Sequence, residues 1–315
     1  MKAVPELVEQ IRNQMGKVVV GQEELRDQCV MALLCRGHVL LEGVPGIAKT
    51  LTVKTISRLM RLSFQRIQCT SDLMPADIVG TNILNLATSA FQLHRGPVFT
   101  DLLLVDEVNR MPPRTQAALL ECMEEHQVTI DGTGHLLSPF FTVFATQNPV
   151  EFEGTYPLPE AQLDRFLLKL QVPYPGLQDE VRLLANVQNG FDSRELETMD
   201  LRPVDAGLLE QAQQELKRVT VEEALFGYIV QIARRTREWP SLSLGASPRA
   251  AISLMAVAKA AAAMDGRDYV IPDDVKASAR PVLRHRIILR PETDLEGITP
   301  DQVLEDVLRA VEVPK

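Results

Sequence analysis

Short apolar runs alternate in the first half of the chain with longer stretches whose apolar residues recur at helical spacing. The runs that predict strands are 39–41, 64–69, 102–105, 140–146 and 167–172. The stretches that favour helices are 1–15, 23–36, 51–60, 113–125 and 159–166. This alternation predicts an α/β fold in which a parallel sheet is covered by helices on both faces.

Beyond residue 172 strands mostly vanish from the pattern. The segment 172–176 carries two prolines and a glycine, and it indicates a hinge between domains. The later stretches that favour helices are 177–189, 205–218, 221–238, 248–264 and 301–311. We therefore predict an α/β domain over 1–174 and a small all-α domain over 175–315, as the length of the chain also suggests.

The loop between the first strand and its helix, Gly43-Val44-Pro45-Gly46-Ile47-Ala48-Lys49-Thr50, has the layout of a phosphate-binding loop. Backbone N–H groups of such a loop point at the anion, and the dipole of the following helix favours its charge. Lys49 would reach the β- and γ-phosphates, and the Thr50 hydroxyl would hold magnesium. The strict pattern has glycine before the lysine. Because alanine favours the helical or extended regions, we expect Ala48 already to be helical.

Two carboxylates, Asp106 and Glu107, follow the apolar run 102–105. Four apolar residues in a row suit a central parallel strand, and ligands bind at the C-terminal ends of such strands. Asp106 would hold magnesium through water, and Glu107 would polarise the attacking water. A lone Asp-Glu or Lys-Thr pair is usually a solvated surface pair, but their joint occurrence, each after an apolar strand, predicts a nucleotide site.

For two further residues the sequence leaves alternatives open. Asn148 follows the run 140–146, so its amide would orient the lytic water or touch the γ-phosphate; an Asn-Pro turn residue is an equal alternative. Arg165 lies near the end of the predicted helix 159–166. There it would be a cation favourably placed at a helix C-terminus, which the sequence alone favours, or a finger reaching into a neighbouring subunit's site.

Arg249 lies in the first turn of a predicted helix whose N-cap is Ser247 and whose first residue is Pro248. A cation there opposes the helix dipole by roughly 0.3–1 kcal/mol. A local rule broken in this way indicates a function, such as a γ-phosphate contact from the second domain. A salt bridge to a surface carboxylate is an equal alternative.

Composition excludes several classes of protein. The 315 residues are 45% hydrophobic with a formal net charge of -9, so we expect a soluble globular protein without bulk attraction to nucleic acid or anionic membrane. No apolar stretch approaches the ~20 residues of a membrane span, and the N-terminus shows no secretory signal. The four cysteines lack Cys-x-x-Cys spacing, which favours buried thiols of a cytoplasmic protein. We expect the basic run 280–290 to pair with carboxylates.

Together these segments resemble the MoxR family of AAA+ ATPases, in which alanine before the P-loop lysine is usual. The segments that carry the resemblance are 43–50, 96–110, 113–121, 145–149, 163–166, 247–249, 266–270 and 281–286. They cover almost the whole chain. The resemblance implies a parallel-sheet P-loop NTPase (AAA+) core followed by a small all-α lid.

The resemblance also implies roles for individual residues. Val20, Gly21 and Gln22 would lie by the adenine, and 43–51, from Gly43 to Leu51, would hold the phosphates. Asn148 would be the first sensor and Arg249 the second. Arg165 would be an arginine finger given to the next subunit of a ring, usually a hexamer. Two family insertions map onto about 76–95 and 128–139, where they would line the ring and touch the remodelled client.

The expected function is that of a magnesium-dependent ATPase that binds ATP and Mg²⁺, forms a homo-oligomeric ring and remodels partner complexes. The family often works with a protein that carries a von Willebrand A domain. One alternative is a nucleotide-gated scaffold with little turnover, against which the intact Asp106-Glu107 pair argues. Others are a nucleic-acid motor, against which the net charge argues, and a magnesium-chelatase-like subunit.

Overall fold

The computed structural model of the protein describes residues 1–87, 89–149 and 154–314. In chain order the strands are β1 (His38–Glu42), β2 (Phe64–Gln68), β3 (Gly80–Asn85), β4 (Ala90–Arg95), β5 (Leu102–Asp106), β6 (Gln127–Ile130), β7 (Thr133–Leu136), β8 (Thr142–Gln147), β9 (Phe166–Gln171), β10 (Leu242–Leu244) and β11 (Ile288–Leu289).

Helices connect and cover these strands. In chain order they are α1 (Ala3–Met15), α2 (Glu23–Leu34), α3 (Lys49–Leu59), α4 (Pro75–Val79), α5 (Pro113–Glu125), α6 (Glu160–Leu163), α7 (Leu177–Gln188), α8 (Ala206–Lys217), α9 (Glu223–Arg237), α10 (Pro248–Met264), α11 (Pro272–Leu283), α12 (Pro291–Leu295) and α13 (Pro300–Ala310). Short 3₁₀ turns lie at Val108–Arg110 and Ser193–Thr198. In the part of the chain described here, none of these helices has both the length and the apolar composition to cross a membrane.

The central sheet has the strand order β2-β5-β8-β1-β9, and each neighbouring pair is parallel. All five residues of β5 are buried, which explains its unbroken apolar run before the aspartate. Val105 lies opposite Ala145, so the residues that follow them, Asp106 and Thr146, reach the same edge of the sheet. The predicted α/β architecture is confirmed, and the sheet order places Asn148 beside the Asp106-Glu107 pair, as expected.

Two antiparallel hairpins project from the core: β3 pairs with β4, and β6 pairs with β7. They coincide with the segments predicted as insertions, about 76–95 and 128–139. The amide of Asn82 in the first hairpin donates to a carboxylate oxygen of Asp131 at the turn of the second, at 2.8 Å. The two hairpins therefore form one connected surface.

The second half of the chain is helical, as predicted, with two additions. The sequence reading missed α11 and α12, and it missed the small antiparallel sheet of β10 and β11. The run 280–286 was expected only as a basic cluster, but its first residues belong to α11, which continues through Pro281 to Leu283. The expected pairing of this run is confirmed, because Arg280, Arg284 and Arg286 form ion pairs with carboxylates.

The largest apolar cluster spans both halves of the chain. It joins buried residues of α1 and α2 to residues of the sheet and of α8–α11, and α1 packs against α8. A second cluster lies between the other face of the sheet and α5. The division at residue 174 stays a prediction, since one continuous core crosses it.

Candidate nucleotide site

A cavity of about 530 Å³ opens at the C-terminal edge of the sheet. Most of the predicted site residues line it: Val20, residues 45–51, Asp106, Glu107 and Asn148. The strand order explains this convergence, because β1, β5 and β8 are neighbours and their loops leave the sheet on the same side.

The phosphate loop passes directly into α3, whose first residue is Lys49. Gly46 has φ +84°, a conformation that glycine adopts without strain. The ammonium of Lys49 donates to the carbonyl oxygens of Gly43 and Val44, the latter at 3.2 Å. Burial lowers the pKa of Lys49, although Asp106 and other carboxylates oppose that shift. An incoming phosphate would offer this ammonium anionic partners in place of the carbonyls.

The expectation that Ala48 is helical is wrong. Its φ of 63° and ψ of 17° lie in the left-handed region, where an L-residue loses roughly 1–2 kcal/mol. The carbonyl of Ala48 still accepts from the N–H and the hydroxyl of Thr52, both at 2.9 Å, so the first turn of α3 starts there. The residue therefore sits where the strict motif has glycine and adopts the conformation that glycine would favour.

Three of the residues predicted to bind the adenine or the phosphates do not line this cavity. Gly43 and Val44 border a neighbouring one, and a Cβ on Gly43 would lie 2.7 Å from the carbonyl oxygen of Val172. Gly21 has φ +71°, and a Cβ there would lie 2.5 Å from a carboxylate oxygen of Asp179. Their contribution is close backbone packing around the loop.

The carboxylates at the end of β5 are held in a defined geometry. Asp106 is buried, and one of its oxygens accepts from the hydroxyl of Thr146 at 3.1 Å. The same hydroxyl accepts from the N–H of Glu107 at 2.9 Å. Glu107 has φ +58°, a strained conformation of the kind that clusters at functional sites. Thr146, which the sequence reading did not single out, therefore orients both acidic residues.

Two side chains of β2 bind the same carboxylates. Arg66 donates through Nε to Asp106 at 2.6 Å, and its Nη2 donates to the amide oxygen of Gln68 at 3.1 Å. The Gln68 amide in turn donates to Glu107 at 2.9 Å. Arg110 also contacts Glu107, at 3.3 Å. Arg66 and Gln68 are exposed and flank the buried Ile67, and this local alternation could have indicated that the two polar side chains share one face of β2.

The donor set suits magnesium. This ion prefers oxygen ligands, and here the Thr50 hydroxyl and the Asp106 carboxylate line one cavity with the Glu107 carboxylate nearby. Arg66 binds one oxygen of Asp106 at 2.6 Å, so a metal or a metal-bound water at that oxygen would compete with the guanidinium. The residues therefore fit a magnesium site that a cation of the chain itself now covers.

The cavity also has an apolar part to its lining, made by Val18, Val19, Val20, Leu183, Val187 and Phe191. Apolar side chains in the same cavity as an anion-binding loop suit a purine ring attached to phosphates. The cavity as a whole thus fits a nucleoside triphosphate.

Arg165 and Arg249 lie elsewhere. They are absent from the described lining of the cavity and share one carboxylate, Glu124 of α5. Arg165 contacts it through Nε at 3.1 Å and donates through Nη1 to the carbonyl of Leu120 at 2.6 Å. Arg249 contacts its other oxygen at 3.0 Å.

These positions correct one prediction and match one of the open alternatives. Arg165 was expected near the end of the helix 159–166, but α6 ends at Leu163 and Arg165 lies in the connection to β9. Arg249 makes the salt bridge to a surface carboxylate that the sequence left open. Ser247 does cap α10, because its hydroxyl accepts from the N–H of Ala250 at 3.2 Å.

Comparisons with known proteins agree with this geometry. Residues 38–168 match the model of the ATPase family associated with various cellular activities (AAA), and residues 234–307 match that of the AAA lid domain. The crystal structure of a protein from Cytophaga hutchinsonii superimposes with a TM-score of 0.90 at 43% identity, covering 99% of this chain and 96% of that one.

Several relatives match over most of their length, as two of them show. The uncharacterized protein YeaC of Bacillus subtilis is 45% identical over 301 residues, which are 95% of this chain and 92% of the relative. Chaperone MoxR1 of Mycobacterium tuberculosis is 40% identical over 311 residues, which are 96% of this chain and 81% of the relative.

Proposed function

The chain belongs to the MoxR family of AAA+ ATPases, and from that premise we propose that it hydrolyses ATP with magnesium in a homo-oligomeric ring, remodelling partner proteins. One observation carries the proposal. The cavity gathers the phosphate loop, both carboxylates and Asn148, whereas the two arginines expected to act on the γ-phosphate lie together at Glu124. A site divided in this way is complete only when a second subunit supplies the arginines.

Within one subunit, the roles follow from position. Lys49 and the N–H groups at the start of α3 would hold the phosphates, and Thr50 and Asp106 would hold the metal. Magnesium, when bound, would neutralise charge on the phosphate oxygens. Glu107 would accept a proton from the attacking water, and Asn148 would orient that water.

The neighbouring subunit would supply Arg165, with Arg249 beside it. Both guanidiniums form ion pairs with Glu124, whose side chain is about one-third exposed. Because ion pairs of exposed groups are weak, Glu124 would compete only weakly with a neighbour's nucleotide for the two arginines. An arginine finger given in trans contributes about 10³–10⁵ in rate by stabilising charge in the transition state. The pairing with Glu124 keeps both cations at the surface, ready for an anionic partner.

The client would meet the two hairpins. Leu86 and Phe91 of the first hairpin and Leu136 of the second are largely exposed. Exposed apolar side chains on projecting elements are typical of protein contact surfaces. A partner with a von Willebrand A domain is part of the proposal, on the strength of the family resemblance.

The experiment that tests this function compares nucleotide binding with turnover. We expect Lys49→Ala to lose binding of a fluorescent ATP analogue, because its ammonium no longer faces the phosphates. We expect Glu107→Gln to bind the analogue but to turn over very slowly. Hydrolysis by Glu107→Gln at the wild-type rate would refute the base assignment, and a wild-type protein that binds ATP without turnover would be a nucleotide-gated scaffold.

A further inference from the structure

Arg286 has one of the least exposed charged side chains described in the structure, at 2% exposure. It follows α11 and reaches the point where α10, α11 and the segment 164–167 meet. Its Nε donates to a carboxylate oxygen of Asp164 at 2.7 Å. Burial lowers the pKa of Arg286 and Asp164 opposes that shift, but a guanidinium stays protonated in proteins. The charge is thus permanently buried, with one carboxylate to neutralise it.

The same guanidinium binds the backbone on both sides of Arg165. Nη2 donates to the carbonyl oxygens of Asp164 at 3.2 Å and of Phe166 at 2.8 Å, and Nη1 approaches that of Leu167 at 3.5 Å. The ring of His285 contributes a further hydrogen bond to the Phe166 carbonyl, at 2.9 Å. The backbone that carries the finger is therefore anchored before and after the finger itself.

The remaining contacts of Arg286 are to the helical half of the chain. Nη1 donates to the carbonyl of Val282 at 2.8 Å, and Nη2 donates to the hydroxyl of Ser253 at 3.2 Å. The second oxygen of Asp164 accepts from Ser247, the N-cap of the helix that carries Arg249, at 3.4 Å. Asp164 therefore binds Ser247 at the start of α10 and Arg286 just after the end of α11.

These contacts fix the positions of two arginines at once. The anchored segment 164–167 positions Arg165. Ser247, which caps α10 and binds Asp164, positions Arg249. The five N–H groups of this guanidinium serve six oxygen acceptors, and a lysine ammonium, with three N–H donors, cannot replace it. We propose that Arg286 is a positioning residue that holds Arg165 and Arg249 as a pair, so that a subunit presents both to its neighbour's nucleotide. This inference rests on the proposed donation in trans.

The test uses Arg286→Lys in the full-length protein, which keeps the charge but loses the fork. The matched control is Arg280→Lys in the same basic run, whose exposed ion pair with Glu305 has little energetic weight. We expect Arg286→Lys to bind a fluorescent ATP analogue like the wild type and to lose about 10²-fold in turnover, as for a misplaced catalytic group. The control should keep its turnover.

Mixing experiments separate a defect in the donor from a defect in the site. Because its own site is intact, Arg286→Lys should regain turnover when mixed with Glu107→Gln, which has intact arginines. It should gain nothing from Arg165→Ala, which lacks the finger. If Arg286→Lys does not fold, Asp164→Asn should give the same pattern with a smaller loss, since the carbonyl bonds remain.

Each outcome bears on the inference. Turnover of Arg286→Lys equal to that of Arg280→Lys would overturn the inference. So would a result in which Glu107→Gln restores turnover to Arg165→Ala but not to Arg286→Lys. If Arg165→Ala itself is not rescued, donation in trans is wrong and this inference falls with it.

Discussion

Arg66 binds the carboxylate to which we assign magnesium in the proposed function. The contact to Asp106 is 2.6 Å long, and Thr146 fixes the other oxygen of that carboxylate. Arg66 is half-exposed but Asp106 is buried, so we place this ion pair toward the upper end of the ~0.2–1 kcal/mol range of exposed pairs. Magnesium at this carboxylate would therefore displace the guanidinium at a measurable cost in apparent metal affinity.

We predict that Arg66→Met lowers the magnesium concentration needed for half-maximal binding of a fluorescent ATP analogue by roughly 2–5-fold. A magnesium titration of each variant measures this, with Arg61→Met, an exposed arginine at the end of α3, as the control. An unchanged or higher magnesium requirement for Arg66→Met would show that Arg66 does not compete with the metal.

His38 makes the stability of the fold depend on pH. Its Nδ1 accepts from the N–H of Val143 and its Nε2 lies 2.9 Å from the carbonyl of Met123, so the ring is held neutral. Burial lowers the pKa of His38 to about 4, against 6.5 for an unperturbed ring. Between pH 6.5 and pH 4 this histidine is protonated in the unfolded chain but mostly neutral in the folded protein. Its contribution to the free energy of unfolding is therefore fully present above pH 6.5 and is lost as the pH falls toward 4.

We predict that this residue costs up to about 3 kcal/mol of unfolding free energy between pH 7 and pH 4. Urea unfolding at several pH values measures it. His38→Gln can keep one donor and one acceptor without titrating, so its unfolding free energy should fall less steeply over the same range. Equal slopes for the two proteins would contradict the assignment. His285 is also buried with a lowered pKa and contributes the residual slope.

The sequence identifies residues by motif but not by three-dimensional contact. It found Lys49, Asp106 and Glu107 because strand ends and loop composition mark them. It missed Thr146, Glu124 and Arg286, whose partners lie tens of residues away in the chain. It also gave Ala48 the wrong conformation, because surrounding structure can hold a residue in a strained region that its own preference disfavours.

At the level of elements, the two hairpins form a single projecting unit. The bond between Asn82 and Asp131 joins them, and their largely exposed apolar residues do not contribute to the core. Substitutions of such residues change stability by only about 0.5 kcal/mol. The hairpins can therefore be altered without loss of the fold.

We predict that the double variant Leu86→Ser and Phe91→Ser keeps its thermal stability and basal turnover but retains less client. Proteins that co-purify with the Glu107→Gln form, with and without the double change, measure this by quantitative mass spectrometry. Leu295→Ser, at another largely exposed leucine, is the control. Unaltered co-purification would remove the hairpins from client binding.

The pattern of apolar residues predicted most of the strands and helices, but not all of them. All five sheet strands and the helices from α7 to α10 were predicted, because each strand has a short apolar run and each helix has apolar residues at helical spacing. Helix α11 was not predicted. It contains Pro281, which is buried, and its last turn is part of a run of basic residues, so its amphipathic pattern is hard to recognise in the sequence. Strands β10 and β11 are too short to leave a periodic signal.

For the whole molecule, assembly of the proposed ring would bring a neighbour's arginines to the cavity. Helix α7 borders the cavity with Leu183 and Val187 and carries a separate stripe of Leu177, Val181 and Leu184, each more than half exposed. No residue of this helix is buried, and a helix of 12 residues is marginal without packing. A subunit that covers the mouth of the cavity would also cover this stripe.

We predict that Leu184→Glu weakens assembly but leaves nucleotide binding by the isolated subunit intact. Sedimentation velocity with magnesium and ATP, in the slow Glu107→Gln background, should show a shift from rings to smaller species. Leu295→Glu should assemble normally. Rings formed equally well by both variants would place the stripe outside the subunit interface.

The division of the site between two subunits is tested most directly by ATP turnover in mixtures of Arg165→Ala and Glu107→Gln subunits. Each variant alone should be nearly inactive, the first for lack of a finger and the second for lack of a base. Mixed in equal amounts, they should regain turnover, because an intact finger then faces an intact site at some interfaces. Mixtures as inactive as the separate variants would contradict donation in trans.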